Sequence, residues 1–243
     1  MDILYIIMPA YNEEENIRSV IEDWYPVIEA HDGGGRSRLV ILDDGSRDRT
    51  FEIMKQCTEG RPLFCPLTKK NEGHGATVLC GYQYALDHGA DFIFQTDSDG
   101  QTLASEFAPF WEKRNQEDMV IGDRSRRQDG FSRILVTKVL KAVIRRKFHV
   151  SVKDANTPYR LMRADVLREE IRLVPEKFNL ANVLLTVIYT KKKRSVAYLP
   201  ITFRPRQGGK NSINFKNIIR IGRQALSDFG EINRTIEVGD EGR

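Results

Sequence analysis

The first half of the chain alternates between short apolar runs and longer segments whose apolar residues recur at helical spacing. The apolar runs predict buried strands over residues 3–8, 38–42, 63–67 and 91–96, the first of them ended by Pro9. Helices are predicted after the acidic run at residues 12–15, and again over residues 48–57 and 76–88. Strand, loop and helix in this order are typical of βαβ units around a mostly parallel sheet.

A polar segment follows each of the four predicted strands. These loops cover residues 9–15, 43–48, 71–75 and 97–101. In open α/β sheets, ligands bind at the carboxyl ends of the strands. We therefore expect all four loops to face one crevice.

Beyond residue 119 the pattern is less regular. Strands are predicted over residues 119–121 and 195–203, helices over residues 132–147, 178–190 and 214–229, a turn at Gly208-Gly209, and a flexible tail over residues 231–243. A chain of 243 residues is long enough for one large domain, which we expect over residues 1–230.

Charge divides this chain into two unlike halves. Residues 1–129 hold 14 Lys/Arg against 24 Asp/Glu, whereas residues 130–243 hold 24 Lys/Arg against 10 Asp/Glu. A basic second half favours an anionic partner. The predicted helix 132–147 contributes an apolar stripe and a basic face formed by Lys138, Lys141, Arg145 and Arg146, a pattern suited to the plane of an anionic membrane. A helix packed on the core with a solvated basic face explains the same pattern.

Targeting and redox signals point to the cytoplasm. No apolar run approaches the roughly 18 residues of a membrane span, and no basic segment precedes the first apolar run as in a secretory signal. The cysteines, Cys57, Cys65 and Cys80, are odd in number and lack metal-type spacing. We expect a cytoplasmic protein, peripheral on the inner face of the cell membrane if it contacts lipid.

The loop at residues 97–101 carries the clearest chemistry. Asp97 and Asp99 place two carboxylates at a strand end, and Gln101 adds an amide oxygen. Hard divalent cations take oxygen ligands and often complete their shell with substrate phosphates. The loop therefore predicts a metal site that neutralises a departing diphosphate, with an acidic helix-capping turn as the alternative.

Two other loops suggest nucleotide contacts. The carboxylates of Asp43 and Asp44 could bind a ribose or a base edge, although Ser46 or Asp48 would also cap the next helix. The loop at residues 71–75 ends in Gly75 at a helix start, where backbone amides can approach a phosphate. His74 has no nucleophilic partner in the sequence and is expected to be a surface or cap residue.

Together these motifs resemble the signature of the inverting family-two glycosyltransferases. The resemblance rests on Pro9-Ala10-Tyr11-Asn12-Glu13-Glu14, Asp43-Asp44-Gly45-Ser46 and Asp97-Ser98-Asp99, and covers about residues 3–215. Within that family, residues 97–101 are similar to the D-x-D-x-Q element of the polyprenyl (dolichyl) phosphate sugar transferases. Residues 156–161, 200–204 and 209–212 also match that branch of the family. The resemblance to this family implies a GT-A fold. This fold is a Rossmann-like three-layer α/β/α arrangement with a mostly parallel central sheet, here followed by a basic helical C-terminal part.

The resemblance also implies roles for individual residues. Asp97, Asp99 and Gln101 would hold Mg²⁺ or Mn²⁺ on the diphosphate of a UDP- or GDP-linked sugar. The nucleotide-binding set would be Pro9, Ala10, Tyr11, Glu13, Asp43, Asp44, Gly75, Asp97 and Ser98. Arg124, Arg206 and Lys210 would meet phosphate charge, and with Asp97 and Asp99 they form the expected catalytic set. Residues 1–129 would then bind donor and metal, and residues 130–230 the acceptor.

The resemblance leaves two acceptors open, a polyprenyl phosphate and a glycan hydroxyl. Many family members carry an acidic residue in the helix after the acceptor loop, whereas residues 178–183 contain amides instead. A hydroxyl acceptor must lose a proton in the transition state, but a lipid phosphate is already anionic. The missing base favours the phosphate, although Glu176 or Asp154 could serve a hydroxyl.

Three other classes of protein are disfavoured. A haloacid-dehalogenase-type phosphatase would carry its D-x-D-G element after the first strand, not after the fourth. A nucleic-acid-binding protein is disfavoured because zinc-finger, RNP and helix-turn-helix patterns are lacking. A dinucleotide dehydrogenase would have G-x-G-x-x-G after the first strand, where this chain has Pro9-Ala10-Tyr11-Asn12.

Overall fold

The computed structural model describes residues 1–124 and 131–205, and for residues 131–139 it describes the backbone alone. The described strands are β1 (Leu4–Ala10), β2 (Arg38–Asp43), β3 (Phe64–Thr68), β4 (Phe92–Gln95), β5 (Met119–Asp123), β6 (Arg160–Arg163) and β7 (Val196–Pro200). The described helices are α1 (Ile17–Ala30), α2 (Thr50–Gln56), α3 (His74–Asp87), α4 (Ala108–Glu112), α5 (Phe131–Phe148), α6 (Ala164–Glu170) and α7 (Ala181–Lys191). None of the helices in these ranges is long and apolar enough to cross a membrane.

The strands form one sheet in the order β3-β2-β1-β4-β6-β5-β7. Every neighbouring pair is parallel except the two that involve β6, which runs antiparallel to both β4 and β5. The expected α/β fold with a mostly parallel sheet is therefore confirmed. Strands from both halves of the chain share this sheet.

Alternation along β1 divides the core into two layers. Tyr5 and Ile7 belong to the cluster that includes α3, α7 and the end of α5, whereas Leu4, Ile6 and Met8 belong to the cluster with α1, α2 and α4. Successive side chains of a strand point to opposite faces of a sheet. A strand buried on both faces reads as a continuous apolar run, which is why residues 3–8 were recognisable.

The expectation that Pro9 ends the first strand is wrong. β1 continues to Ala10, and Pro9 pairs with Leu42 of β2. The last pair between β1 and β4 is Ile7 with Gln95, and the Pro9 carbonyl beyond it accepts the Ser98 hydroxyl at 2.8 Å. The missing N–H of Pro9 thus falls where the β4 ladder has already ended, so no ladder hydrogen bond is lost.

Sequence patterns missed several elements of the second half. β6, α4 and α6 were not predicted, and the predicted helix at 178–190 and strand at 195–203 correspond to α7 and to the shorter β7. The predicted helix 132–147 corresponds to α5. In its described part, Ile144 and Phe148 are buried in the core and Lys141, Arg145 and Arg146 are exposed. That part is therefore core-packed with a solvated basic face.

Candidate active site

The four predicted loops meet at the carboxyl ends of β1 to β4. The Asp44 amide donates to the Ala10 carbonyl at 2.8 Å, so the loop after β2 is fastened to the end of β1. Asn12 has a φ of 55° and bridges the same loops, because its amide donates to Ser46 Oγ at 2.9 Å and its Oδ1 accepts the Arg47 amide at 2.8 Å. Asparagine tolerates this left-handed conformation better than most residues. The expectation that the four loops come together is confirmed, since Asp44 also binds the loop after β3, and Ser98 of the loop after β4 binds Pro9.

Glu13 and Asp48 continue this link toward α2. Glu13 is 6% exposed, and its amide donates to Thr50 Oγ1 at 2.8 Å. Asp48 Oδ1 accepts the amide of Thr50, the first residue of α2, at 3.0 Å, but the cap position itself is Arg49, one residue beyond the expected Asp48. Of the residues expected to line the nucleotide, Pro9 and Ala10 are buried and Tyr11 is half-buried beside them.

Asp43 is a buried carboxylate that organises its own loop. It is 2% exposed, and its oxygens accept the Ser46 amide at 3.1 Å and the Thr68 hydroxyl at 2.7 Å. Both oxygens thus have intramolecular donors. Any nucleotide contact by Asp43 would share a carboxylate that already fixes the turn.

Asp44 holds the loop after β3. Its carboxylate accepts Lys69 Nζ at 2.8 Å and the amides of Glu72 and Gly73 at 3.0 and 2.9 Å. Burial raises the pKa of Asp44, but the hydrogen bonds from Lys69 and these amides outweigh it, so the pKa lies below its usual value. The expectation that the 71–75 loop offers its amides to a phosphate fails for Glu72 and Gly73, since Asp44 takes both.

Gly75 allows a close approach between α3 and the segment before α7. A Cβ atom at Gly75 would lie 2.1 Å from the Phe178 carbonyl oxygen and 2.8 Å from the Asn179 Cα. Only glycine fits so near to backbone atoms. The structure therefore gives Gly75 a packing role against the predicted acceptor region, and its expected nucleotide contact stays a prediction.

The acidic loop, residues 97–101, is held from several sides. Asp97 Oδ1 lies 3.1 Å from His74 Nε2 at the start of α3, and Ser98 is buried with its hydroxyl on Pro9. The Gln101 amide donates to Asp99 Oδ1 at 3.1 Å. His74 was expected to be a surface or cap residue. It is half-exposed, but it also contacts Asp97, and its isolated position in the sequence gave no sign of that contact.

The acidic loop suits a divalent cation only with help from a substrate. Within residues 1–124 and 131–205, no three or more His, Cys, Asp or Glu side chains are grouped to hold a metal ion. Mg²⁺ usually takes one or two protein carboxylates and completes its shell with water and phosphate oxygens. Asp97 and Asp99, both partly exposed at the end of β4, fit that requirement.

Gln101 is engaged with the chain beyond β7. Its Nε2 donates to the Arg204 carbonyl at 2.8 Å, and the Arg204 amide donates to the Gln101 carbonyl at 2.8 Å. The side-chain amide nitrogen therefore faces Arg204, and the amide oxygen is the atom that a metal would use.

Arg124 forms a two-point ion pair with Asp154. Its Nε and one terminal nitrogen donate to the Asp154 carboxylate at 2.8 and 2.9 Å, and its guanidinium lies 5.1 Å from the centre of the Phe203 ring. Burial raises the pKa of Asp154, but the hydrogen bond and charge of Arg124 outweigh it, so the pKa is lowered. Asp154 is thus a poor general base, and the other candidate base, Glu176, is exposed.

Sequence patterns also missed a buried cation, Arg160 of β6. It is fully buried and donates to carbonyl oxygens of Ala155, Thr157 and Asn182 at distances from 2.6 to 3.2 Å. Burial lowers its pKa. An arginine among apolar residues carries no pattern that distinguishes a buried strand position from an edge. Arg206 and Lys210, expected to meet phosphate, lie outside the described residues, as do residues 208–209, 214–229 and 231–243.

Two relatives of known name are similar to this chain along most of its length. Undecaprenyl-phosphate 4-deoxy-4-formamido-L-arabinose transferase from Pectobacterium atrosepticum is 23% identical over 219 residues, which are 89% of this chain and 64% of that protein. Polyprenol monophosphomannose synthase from Mycolicibacterium smegmatis is 25% identical over 235 residues, 93% of this chain and 85% of that protein. The chain thus spans less than two thirds of the first relative.

A solved structure supports the fold assignment. Glucosyl-3-phosphoglycerate synthase from Mycobacterium tuberculosis, in complex with Mn²⁺, UDP-glucose and phosphoglyceric acid, matches with a TM-score of 0.67 at 17% identity. The match covers 96% of this chain and 80% of that one. At this identity the likeness shows a shared fold, the expected GT-A type.

The family follows from the sequence itself. The profile described as Glycosyl transferase family 2 matches residues 5–171, which include all of β1 but its first residue, β2 to β6, and the four strand-end loops. A match over more than half of the chain, on the fold just described, means that the chain belongs to glycosyl transferase family 2.

Proposed function

We propose that this protein transfers a sugar from a UDP- or GDP-linked donor to a polyprenyl phosphate, with inversion at the anomeric carbon. The observation that carries the proposal is the position of Asp97 and Asp99, at the end of β4 in a crevice built from four strand-end loops. The names of the Pectobacterium and Mycolicibacterium relatives support a lipid-phosphate acceptor.

Donor binding would fall to the first half of the chain. Pro9, Tyr11 and Glu13 would line the nucleotide. The buried carboxylates of Asp43 and Asp44 would hold the loops after β2 and β3 in place around it. Mg²⁺ or Mn²⁺ held by Asp97 and Asp99 would neutralise negative charge on the diphosphate. Residues 130–230 would supply the acceptor side within the same domain.

The transfer itself needs little proton chemistry. An oxygen of the acceptor phosphate attacks the anomeric carbon from the face opposite the diphosphate. The new carbon–oxygen bond forms as the bond to the diphosphate breaks, and the electron pair leaves with the nucleoside diphosphate. Arg124, positioned by Asp154, would stabilise phosphate charge through the guanidinium nitrogen that Asp154 does not bind.

The ion pair between Arg124 and Asp154 favours the phosphate over a hydroxyl acceptor. A hydroxyl must give up a proton, and a carboxylate whose pKa is lowered by an arginine accepts protons poorly. A glycan hydroxyl is the second candidate acceptor, and it would leave Glu176 as the base.

We propose that the exposed Lys and Arg side chains of α5 contact the anionic inner face of the cell membrane. Lys141, Arg145, Arg146 and Lys147 are all exposed, and the described residues form no ion pair with them. Because Ile144 and Phe148 are buried in the core, contact through this part would be electrostatic, without insertion of its apolar stripe.

The proposal is tested with purified protein, MnCl₂, a set of UDP- and GDP-sugars, and vesicles that contain a polyprenyl phosphate. Mass spectrometry of the extracted lipid should find an added sugar in the wild type and at least a ~100-fold smaller amount in a folded Asp99→Asn variant. Release of nucleotide without a lipid product would move the acceptor to a glycan hydroxyl. Full turnover by a folded Asp99→Asn variant would refute the metal role.

A further inference from the structure

The chain that leaves β7 crosses directly onto the acidic loop. We call residues 201–205 the exit segment. The Ile201 amide donates to the Asp123 carbonyl at 3.1 Å, and the Thr202 amide donates to the Glu106 carboxylate at 2.9 and 3.0 Å. Two consecutive residues of the exit segment are therefore hydrogen-bonded to two separate parts of the chain, the end of β5 and Glu106.

Gln101 makes the last of these connections. It accepts the Arg204 amide with its backbone carbonyl and donates its side-chain Nε2 to the Arg204 carbonyl, both at 2.8 Å. Its own amide meanwhile donates to Asp99 Oδ1 at 3.1 Å. One residue thus joins the Asp99 carboxylate to a segment 103 positions further along the chain.

This arrangement has the form of a latch. The two bonds to Arg204 close a ring between two chain segments, and the bond from the Gln101 side chain is exposed to solvent. Phe203 lies between Thr202 and Arg204, both of which are hydrogen-bonded to other segments. The Arg124 guanidinium lies over the Phe203 ring. The latch therefore connects the acidic loop to the arginine proposed to meet phosphate.

We infer that Gln101 is a positioning residue, whose side-chain amide fastens the exit segment to the acidic loop and so sets Arg124 relative to Asp99. The inference rests on the proposed function for its effect on transfer, but the latch itself is a property of the folded chain. Asp97 and Asp99, with the amide oxygen of Gln101, would hold the metal, and the further contribution of Gln101 is the N–H that it donates to Arg204.

Replacement of Gln101 by glutamate separates the two roles. Gln101→Glu keeps an oxygen for a cation and adds negative charge, but it loses the N–H donor and sets a carboxylate against the Arg204 carbonyl. Gln101→Met loses the donor without adding charge. Asp99→Asn is the matched control, because it removes a metal carboxylate and leaves both bonds to Arg204 intact.

Two measurements on the full chain test whether the Gln101 side chain holds Arg204 and whether metal binding is a separate property. Hydrogen–deuterium exchange should show the Arg204 amide exchanging about tenfold faster in Gln101→Glu and Gln101→Met, and unchanged in Asp99→Asn. Calorimetric titration with MnCl₂ in the presence of UDP should show affinity retained in Gln101→Glu and lost in Asp99→Asn. Unchanged exchange at Arg204 in both Gln101 variants would overturn the latch.

Sugar transfer gives a third, separate readout. With Mn²⁺ saturating, kcat of Gln101→Glu should fall about tenfold or more, because the Phe203 ring on which the Arg124 guanidinium lies is no longer held in place. Wild-type kcat in Gln101→Glu would overturn the positioning role. If the wild type transfers no sugar, the proposed function fails, and the exchange and titration results still decide whether the latch exists.

Discussion

Substituting Asp154 by asparagine distinguishes a positioning carboxylate from a general base. Asp154 accepts two hydrogen bonds from Arg124, and both side chains are 15% exposed. Asparagine keeps one oxygen in place and turns the other into an NH₂ group that faces an arginine donor. The variant thus loses one charge-assisted hydrogen bond and the opposite charge, while the shape of the site is preserved.

The expected loss of stability follows from this geometry. A hydrogen bond to a charged group contributes ~1.5–3 kcal/mol, and removing one partner of a fully buried ion pair costs about 3–5 kcal/mol. Because one oxygen still accepts from Arg124 and water reaches the pair, we expect a loss of about 2 kcal/mol. The folded-state pKa of Asp154 is below the unfolded value of about 3.9, so this stability is fully present above pH ~4 and is lost as the pH falls through the lowered pKa.

The kinetic consequence separates the two roles. If Asp154 only orients Arg124, kcat/KM for transfer to polyprenyl phosphate should fall about tenfold, equivalent to ~1.4 kcal/mol. If Asp154 were the general base, kcat should fall by about 10²–10⁴, and the acidic limb of the pH–rate profile should disappear.

The assay measures initial rates from pH 5 to 9 and urea unfolding at pH 7 and pH 3.5. Asp118→Asn is the control, because this carboxylate bonds the Ser195 amide at the other end of β5. A loss of kcat above ~100-fold in a stably folded Asp154→Asn protein would refute the positioning argument and restore a hydroxyl acceptor.

Three further changes test other parts of the structure. Gly75→Ala would set a methyl group 2.1 Å from the Phe178 carbonyl oxygen, and the strain of about 1–3 kcal/mol should exceed the ~1 kcal/mol that alanine gains in a helix, so thermal unfolding should shift downward. Asp44→Asn leaves the partly buried Lys69 without its nearest partner, and urea unfolding should show a loss of about 3 kcal/mol at pH 7 that shrinks as the pH falls below ~4. Arg145→Glu should weaken binding to anionic vesicles in a co-sedimentation assay by at least about fivefold, since each basic residue near such a surface contributes ~1 kcal/mol, and should leave binding to zwitterionic vesicles unchanged.

The first half of the fold was readable from the sequence because its strands are apolar on both faces. β1, β2 and β4 are buried runs, each followed by polar residues, so the crevice and its acidic loop could be located by position alone. Even there, Pro9 led us to predict the end of β1 too early. A proline is acceptable within a strand where the hydrogen-bond ladder to the neighbouring strand has already ended.

The second half was less readable because its contacts are long-range. β6 is a strand of four residues with an arginine at each end, which matches neither a strand nor a helix pattern. In the first half too, the roles of Asp44, Gly75 and Gln101 depend on partners about 30 to 100 residues away, and spacing along the chain contains no information about such partners. Sequence patterns identified these residues as part of the site but could not say what they hold.

The insertion of β6 between β4 and β5 has a consequence for how the protein is made. Strands β1 to β4 can pair as soon as they leave the ribosome, but both sheet neighbours of β5 in the described structure, β6 and β7, are synthesised later. During elongation β5 is therefore an apolar strand with two unpaired edges, a species prone to aggregation. Closure of the sheet must wait for residues 160–163, so a truncation before them should leave an insoluble product even though every loop proposed to bind the donor has been made.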